Sequence, residues 1–367
     1  MDKMDSLEEK LEEFKESYSK TKYSKATNKY LGILRAKIAE VKREIVEAGK
    51  RPKGSGFFVK KSGDATVALL GFPSAGKSSL LNLLANTKSK TASYAFTTTT
   101  IIPGMMVYND AHIQVFDMPG IIEDAHKGIG GGRSVISALR VADLIIFVID
   151  AENPRQMDLL MRELNALDIR VNKRRPGVSI VRLPGNASTT VELNRSGLPD
   201  EEVEAVLAEF RINNAVVKIG DRMGVDELIS IVAGKALYMG GIIALNKIDR
   251  VARHEKLAKE LSQRWGMDVV PISATKGTNI KRLREAVYKN LGIMKVYLSP
   301  DGKEMNPIIL RTGTTVSGAA RRLHTELMDV MKAGYVTGPS AKFERQRVGA
   351  AHVLKEGDKL TFIRGDA

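Results

Sequence analysis

Ala65-Thr66-Val67-Ala68-Leu69-Leu70-Gly71-Phe72-Pro73-Ser74-Ala75-Gly76-Lys77-Ser78-Ser79-Leu80 decides the fold. Thr66–Leu70 is a short apolar run of the kind that forms a strand buried on both faces. Gly71–Ser78 fits G-x-x-x-x-G-K-[ST], and a helix is expected from Ser79. In such a strand–loop–helix the glycines let backbone N–H groups converge on α- and β-phosphates at a helix N-terminus. Lys77 then neutralises β- and γ-oxygens, and the Ser78 hydroxyl ligates Mg²⁺. Gly71, Phe72, Pro73, Ser74, Ala75, Gly76, Lys77, Ser78 and Ser79 are therefore the candidates for a phosphate cradle, with Lys77 also acting in catalysis.

Further along, Ile113–Phe116, Leu144–Ile149, Ile242–Leu245 and Val269–Ile272 repeat the pattern of short Val/Ile/Leu runs bounded by Gly, Pro, Asp or Asn. Amphipathic stretches between them supply crossovers, so the fold expected is α/β, a doubly wound sheet. Asp117-Met118-Pro119-Gly120 follows the second run. There an Asp holds Mg²⁺, usually through water, and the Gly120 N–H can bond a γ-phosphate. Between these motifs lies Phe96-Thr97-Thr98-Thr99-Thr100, where a switch threonine completes the metal shell; an edge strand also accounts for the run, and spacing does not choose among the threonines.

The base is named by Asn246-Lys247-Ile248-Asp249. The Asp249 carboxylate can accept from both guanine N1–H and the 2-amino group, a donor pair adenine lacks. Ser273-Ala274-Thr275, after Val269–Ile272, is expected to turn the Ala274 N–H toward guanine O6. GTP and GDP are thus the expected substrate and product.

These residues resemble the Obg-like GTPases: the loop Gly71–Ser78, the run Phe96–Thr100, Asp117–Gly120 with Gly128–Arg133 behind it, and Asn246–Asp249. Within that group the chain looks like the developmentally regulated GTP-binding proteins (DRG), because Lys25-Ala26-Thr27 and Leu31–Lys37 resemble their N-terminal helical region. The resemblance covers nearly the whole length. It implies a P-loop GTPase domain with an N-terminal helix-turn-helix-like region, an inserted α+β subdomain and a C-terminal ubiquitin-like TGS domain. It also implies Thr98 as the Mg²⁺ ligand of its run, a stabilising regulatory partner protein, and contact with RNA or ribosomes in translation.

Two departures bear on mechanism. Ile121 stands where Ras-like proteins carry a water-orienting Gln, so unassisted hydrolysis is expected to be slow. Ser74 stands where some potassium-using GTPases carry Asn, which weakens the case for K⁺ without excluding it.

On either side of this core the pattern changes. Residues 6–48 read as helix with a break at Ser19–Thr27, giving an antiparallel pair within a basic region spanning 1–62. The interval between Asp150 and Asn246 is too long for a minimal domain. It divides the GTPase domain into 63–173 and 239–293 around an insertion at 174–238, with strands at Val178–Leu183, Thr189–Leu193 and Ala215–Ile219 and helices at Asp200–Phe210 and Val225–Leu237. Residues 294–367 read as a compact half-barrel or grasp-like module, with apolar runs Val296–Leu298 and Ile308–Leu310, a helix from Val316 to Met331, and a last strand Leu360–Ile363.

Composition limits the partners. Of 367 residues 27% are charged and the net charge is +14. Lys20–Lys61 alone carries thirteen Lys and Arg against Glu40, Glu44 and Glu47, a net of +10. Such a block attracts polyphosphate surfaces, RNA or a ribosome, by counterion release; a solvated helix face accounts for it equally. With no long apolar window, no signal-like N-terminus and no cysteine, the expectation is a cytoplasmic protein outside any membrane. The five histidines show no metal spacing. Arg133 and Arg140 read as ion-pair partners or a catalytic arginine, and Asp200–Glu204 as charge at a helix N-terminus. A nucleotide-gated scaffold with incidental turnover, or an RNA-binding adaptor, are the alternatives to a switch enzyme.

Overall fold

A computed structural model describes residues 2–21, 27–48, 62–85, 103–118, 136, 138–185, 188–298, 307–323 and 331–364. Thr97–Thr100, Gly120, Ile121, His126, Gly128–Arg133 and His324 lie outside the described residues.

In chain order the elements begin α1 (Asp2–Lys20), α2 (Asn28–Ala48), β1 (Ala65–Leu70), α3 (Lys77–Leu84), β2 (Pro103–Tyr108), β3 (Ala111–Asp117), β4 (Leu144–Asp150) and α4 (Gln156–Ala166). There follow β5 (Ile169–Val171), β6 (Val178–Arg182), β7 (Thr190–Asn194), α5 (Asp200–Glu209), β8 (Ala215–Ile219), α6 (Val225–Val232) and β9 (Leu237–Asn246). The chain closes with α7 (His254–Trp265), β10 (Val269–Pro271), α8 (Ile280–Asn290), β11 (Ile293–Leu298), β12 (Pro307–Arg311), α9 (Val316–Leu323), β13 (Met331–Thr337), β14 (Gln346–Gly349) and β15 (Lys359–Arg364). They fall into two compact units, residues 1–55 with 164–238, and 56–163 with 239–367.

In the second unit, strands run in the order β10-β9-β4-β1-β3-β2. β3, β1, β4, β9 and β10 are parallel, and β2 returns antiparallel along β3. Every residue of β1 and β4 is buried, as crossovers on both faces require. Each Val, Leu or Ile removed from water there contributes about 1.5–3 kcal/mol, which is why an uninterrupted apolar run is stable only in this position. The order in which strands are added reverses at β1, with β3 on one side and β4 on the other. The carboxyl ends of the parallel strands at such a reversal open a crevice where ligands bind. Pro103–Tyr108, unassigned by the sequence pattern, pairs with β3 through six residues.

The same unit carries the C-terminal sheet, ordered β12-β11-β15-β13-β14, with α9 against one face. The helix expected to reach Met331 is described only to Leu323, and Met331 instead opens β13, antiparallel to β15. Long-range pairing overrides the local pattern here: Gly334 fits because a Cβ would meet Leu360 Cδ1 at 2.8 Å. This sheet joins the larger one directly. Ile293 and Ile309 enter the core built around β1 and α3, Arg311 Nη2 donates to Asp143 Oδ1 at 2.6 Å, and Glu356 accepts from the Asn109 side chain and from Tyr288 Oη. Burial, followed by the Glu356 charge, pushes the Tyr288 phenol well above its ordinary range.

In the first unit, β6 and β7 flank β8, the one antiparallel and the other parallel to it. Helices α5 and α6 cover this sheet with Val203, Val206, Leu207 and Leu228, and Ala36 of α2 joins the same core. The helix expected to reach Leu237 stops at Val232: Gly234 takes φ +64, and the Ala236 N–H folds back to Ser230 O at 3.2 Å. The N-terminal helices therefore belong with the insertion. Gly32 admits the buried Glu202, whose Oε1 would sit 2.9 Å from a Cβ there. Burial raises the Glu202 carboxyl pKa, with nearby Arg35 pulling it down.

Candidate nucleotide site

The loop Gly71–Gly76 links β1 to α3 at the carboxyl edge of the sheet. Two of its positions require glycine. A Cβ on Gly71 would lie 2.3 Å from the Val148 carbonyl, and Gly76 takes φ +96 with Asn246 Nδ2 where its Cβ would be. Ser74 is also left-handed, at φ 61. Gly76 caps α3 without a side-chain bond, so the first-turn amides face outward, as an anion-binding helix start requires. Lys77 Nζ donates to Gly71 O at 3.0 Å and Phe72 O at 3.1 Å, which places the ammonium inside the loop.

Ser78 and Asp117, thirty-nine positions apart, meet across this edge, where Ser78 Oγ donates to Asp117 Oδ2 at 3.0 Å. The other carboxylate oxygen, Oδ1, is buried and has no hydrogen-bond partner among the described residues. A hydroxyl and a buried, half-satisfied carboxylate form a hard oxygen pair that suits Mg²⁺. The two residues expected to hold the metal are thus brought together; Thr98 lies outside the described residues.

Asn246, at the end of β9, is 1% exposed and ties the loops to one another. Its Nδ2 donates to Ala75 O at 2.8 Å and its Oδ1 accepts from the Ala274 N–H at 2.9 Å. The amide expected to face guanine O6 is thereby engaged by Asn246. Lys247 is left-handed, at φ 63, and its Nζ meets Asp150 Oδ2 at 2.6 Å. Asp150 was not singled out by motif. Its only signal was a carboxylate closing the apolar run of β4, and its other oxygen accepts the Glu152 N–H at 2.9 Å.

Asp249 lies in a single helical turn, Ile248–Arg250. The Ser273 hydroxyl holds its carboxyl below the ordinary range, helped by a backbone N–H and the cations Lys276 and Arg250. Its charge is thus maintained while the group stays open to solvent. Ser273 is 1% exposed, and its Oγ also accepts the Lys276 N–H at 3.2 Å, which closes the turn containing Thr275.

A phosphate-loop geometry, a metal-suited Ser–Asp pair and a solvent-open Asp249 carboxylate on one sheet edge fit the class of GTP-binding P-loop GTPases. Comparison with known proteins agrees. The family described as 50S ribosome-binding GTPase matches residues 66–182, the C-terminal region of that domain matches 185–293, and the TGS domain matches 294–364. A GTP-binding protein of Methanocaldococcus jannaschii is 41% identical over 364 residues, covering 97% of this chain and 93% of its own. Developmentally-regulated GTP-binding protein 2 of Homo sapiens is 37% identical over 367 residues, covering 97% and 99%. The solved YchF GTPase of Schizosaccharomyces pombe, 16% identical, covers 84% of this chain and 100% of its own with a TM-score of 0.48. The chain belongs to the developmentally regulated GTP-binding proteins, and residues 294–364 are a TGS domain.

Proposed function

We propose that this protein binds GTP with Mg²⁺ through Gly71–Ser79, Asp117, Asn246, Lys247, Asp249 and Ser273–Thr275, hydrolyses it slowly, and acts on ribosomes or RNA during translation. The observation that carries the nucleotide reading is the buried Asn246 side chain, which joins Ala75 of the phosphate loop to Ala274 of the base loop. Gly71 and Gly76 hold the loop in the curvature a diphosphate needs, and Asp249, to which the Ser273 hydroxyl donates, accepts the guanine donors. Bound Mg²⁺ neutralises charge gathering on the phosphate oxygens, and Ser78 with Asp117 would hold it. Thr98 and Gly120 are assigned by motif to the metal and the γ-phosphate. Ile121 has no group to orient water, which supports a slow rate and stimulation by a partner.

The ribosome or RNA reading is supported by the basic block Lys20–Lys61. Deleting the block is a poor test, because Ala36 of α2 is part of the core beneath α5 and α6. Replacing Lys50, Arg51, Lys53, Lys60 and Lys61 together by Gln in the full chain removes five charges and keeps α2 in place. The expected result is weaker ribosome binding, a shallower salt slope and unchanged GDP affinity. Phosphate release over many turnovers, accelerated by ribosomes, supports the enzyme. Tight binding without turnover under any of these conditions overturns it in favour of a nucleotide-gated scaffold.

A further inference from the structure

The first unit holds a cleft of about 350 Å³ where the N-terminal helical pair meets the insertion. Its apolar wall is Ile38 and Ala39 of α2 with Ile229 of α6. Tyr18, Arg35, Asp168, Asp226 and Lys235 supply its polar groups, and none of them belongs to the candidate nucleotide site. These groups are held in place without being saturated. Arg35 Nε donates to Tyr18 Oη at 2.9 Å, and the guanidinium carbon lies 5.3 Å from the centre of the Tyr18 ring, so its plane is fixed. Nη1 stands 3.5 Å from Asp226 Oδ2, long for a hydrogen bond. Neither terminal nitrogen of Arg35 has a hydrogen-bond acceptor among the described residues, although the side chain is only 31% exposed. Asp168 is fixed in the same manner. Its Oδ1 accepts from Ser230 Oγ at 2.7 Å and from Arg170 Nη2 at 3.2 Å, and its carbonyl accepts the Leu237 N–H at 3.0 Å. Its Oδ2 has no partner among the described residues. Lys235 Nζ donates to Ala39 O at 3.1 Å, which keeps a second cation at the cleft. Arg35, Arg170 and Lys235 together balance Asp168, Asp226 and the buried Glu202 beside Arg35.

We infer that this cleft binds a small zwitterion, an α-amino acid with an aliphatic side chain. Its carboxylate meets the open fork of Arg35, its ammonium meets Asp168 and Asp226, and its side chain lies on Ile38, Ala39 and Ile229. A guanidinium whose plane is already fixed presents paired donors that match a carboxylate. The balance of charge selects the class of ligand. A lone anion at Arg35 would face Asp226 and Asp168, and a lone cation would face Arg35 and Lys235, whereas a zwitterion pairs with both signs. Ligand cavities run from roughly 300 to 1,000 Å³, and this one, at the low end, suits a small metabolite. Because the cleft is walled by α1 and α2 on one side and α6 on the other, an occupant adds contacts between the helical pair and the insertion. It therefore stabilises the folded chain by mass action. This site goes beyond the proposed nucleotide function and does not rest on it.

The test is thermal melting of the full chain with millimolar L-leucine, L-isoleucine or L-valine, followed by calorimetry. At least one is expected to raise the melting temperature and give saturable heat, with or without GDP. The amide of that amino acid lacks the carboxylate and its N-acetyl form lacks the ammonium, and neither is expected to bind. Arg35→Lys keeps the charge but loses the fork. Asp226→Asn removes a charge from a side chain that is 74% exposed, where folding is not at risk. Each is expected to weaken binding at least about tenfold, with GDP affinity and the melting temperature without amino acid unchanged. Absence of saturable binding for all three amino acids overturns the inference. Equal binding of the N-acetyl form, displacement by GDP, or full affinity in both variants also overturns it.

Discussion

Asn246 Nδ2 donates to the carbonyl oxygen of Ala75 at 2.8 Å, across 171 positions of chain. The same carboxamide accepts the Ala274 N–H, so one buried side chain sets the distance between phosphate loop and base loop. Asn246→Ala leaves a carbonyl and an amide without partners, at about 1–3 kcal/mol each. GDP affinity is expected to fall more than about tenfold, measured by calorimetry, with helix content by circular dichroism intact. Asn246→Asp keeps an acceptor for Ala274 but aims a carboxylate at the Ala75 carbonyl, so it should not restore binding.

The proposed base choice rests on Asp249. Asp249→Asn replaces an acceptor of two hydrogen bonds by an amide, which suits the 2-oxo group of xanthine. Competition binding should show GDP weakened and xanthosine diphosphate favoured. Unaltered preference for guanine would remove Asp249 from the site.

The pH dependence follows from Ser273. Its hydroxyl is the largest influence lowering the Asp249 pKa in the folded protein. A lowered folded pKa means the contribution of the charge is complete above the ordinary carboxylate range and is lost as pH falls through the lowered value. GDP affinity should therefore stay level down to the ordinary carboxylate range and decline only below it. Ser273→Ala moves that decline to higher pH, as a titration of affinity against pH would record.

Lys247 and Asp150 form a mostly buried pair, with side chains 20% and 9% exposed. Removing one partner of such a pair strands the other, at about 3–5 kcal/mol when burial is complete and less here. Asp150→Ala should lower the melting temperature and weaken GDP binding. Asp150→Ala with Lys247→Met should recover much of the stability but little of the affinity, because the apolar replacement no longer strands a charge yet cannot hold the base loop.

The docking of the TGS sheet gives a further test. Asp143 accepts the Thr66 N–H through Oδ2 at 2.9 Å and Arg311 through Oδ1, joining β1 to β12. Asp143→Ala leaves the buried Thr66 amide unpaired and should cost about 1–3 kcal/mol in denaturant unfolding. Arg311→Ala should cost less, since that side chain is 55% exposed and its ion pair is screened.

Much of the candidate nucleotide site was legible because its parts are local. A strand, a glycine-shaped loop and a helix start are consecutive in Leu69–Ser79, and Asp117, Asn246 and Ser273 each follow an apolar run that periodicity marks as a strand. The order of these motifs and the need for guanine donors at Asp249 were sufficient to name a GTP-binding P-loop protein.

Other features exist only because distant segments meet. Asp150 matters through Lys247, ninety-seven positions away. β13 is a strand because β15 pairs with it, although Gly334 weakens any local preference for one. The N-terminal helices share a core with the insertion through Ala36, a residue too small to stand out in a hydrophobic pattern. The amino-acid sequence by itself determined the local elements and the identity of the nucleotide, because those depend on neighbours along the chain. Which side chains buttress the site was decided by tertiary packing, because burial and register are properties of residues that the chain keeps far apart.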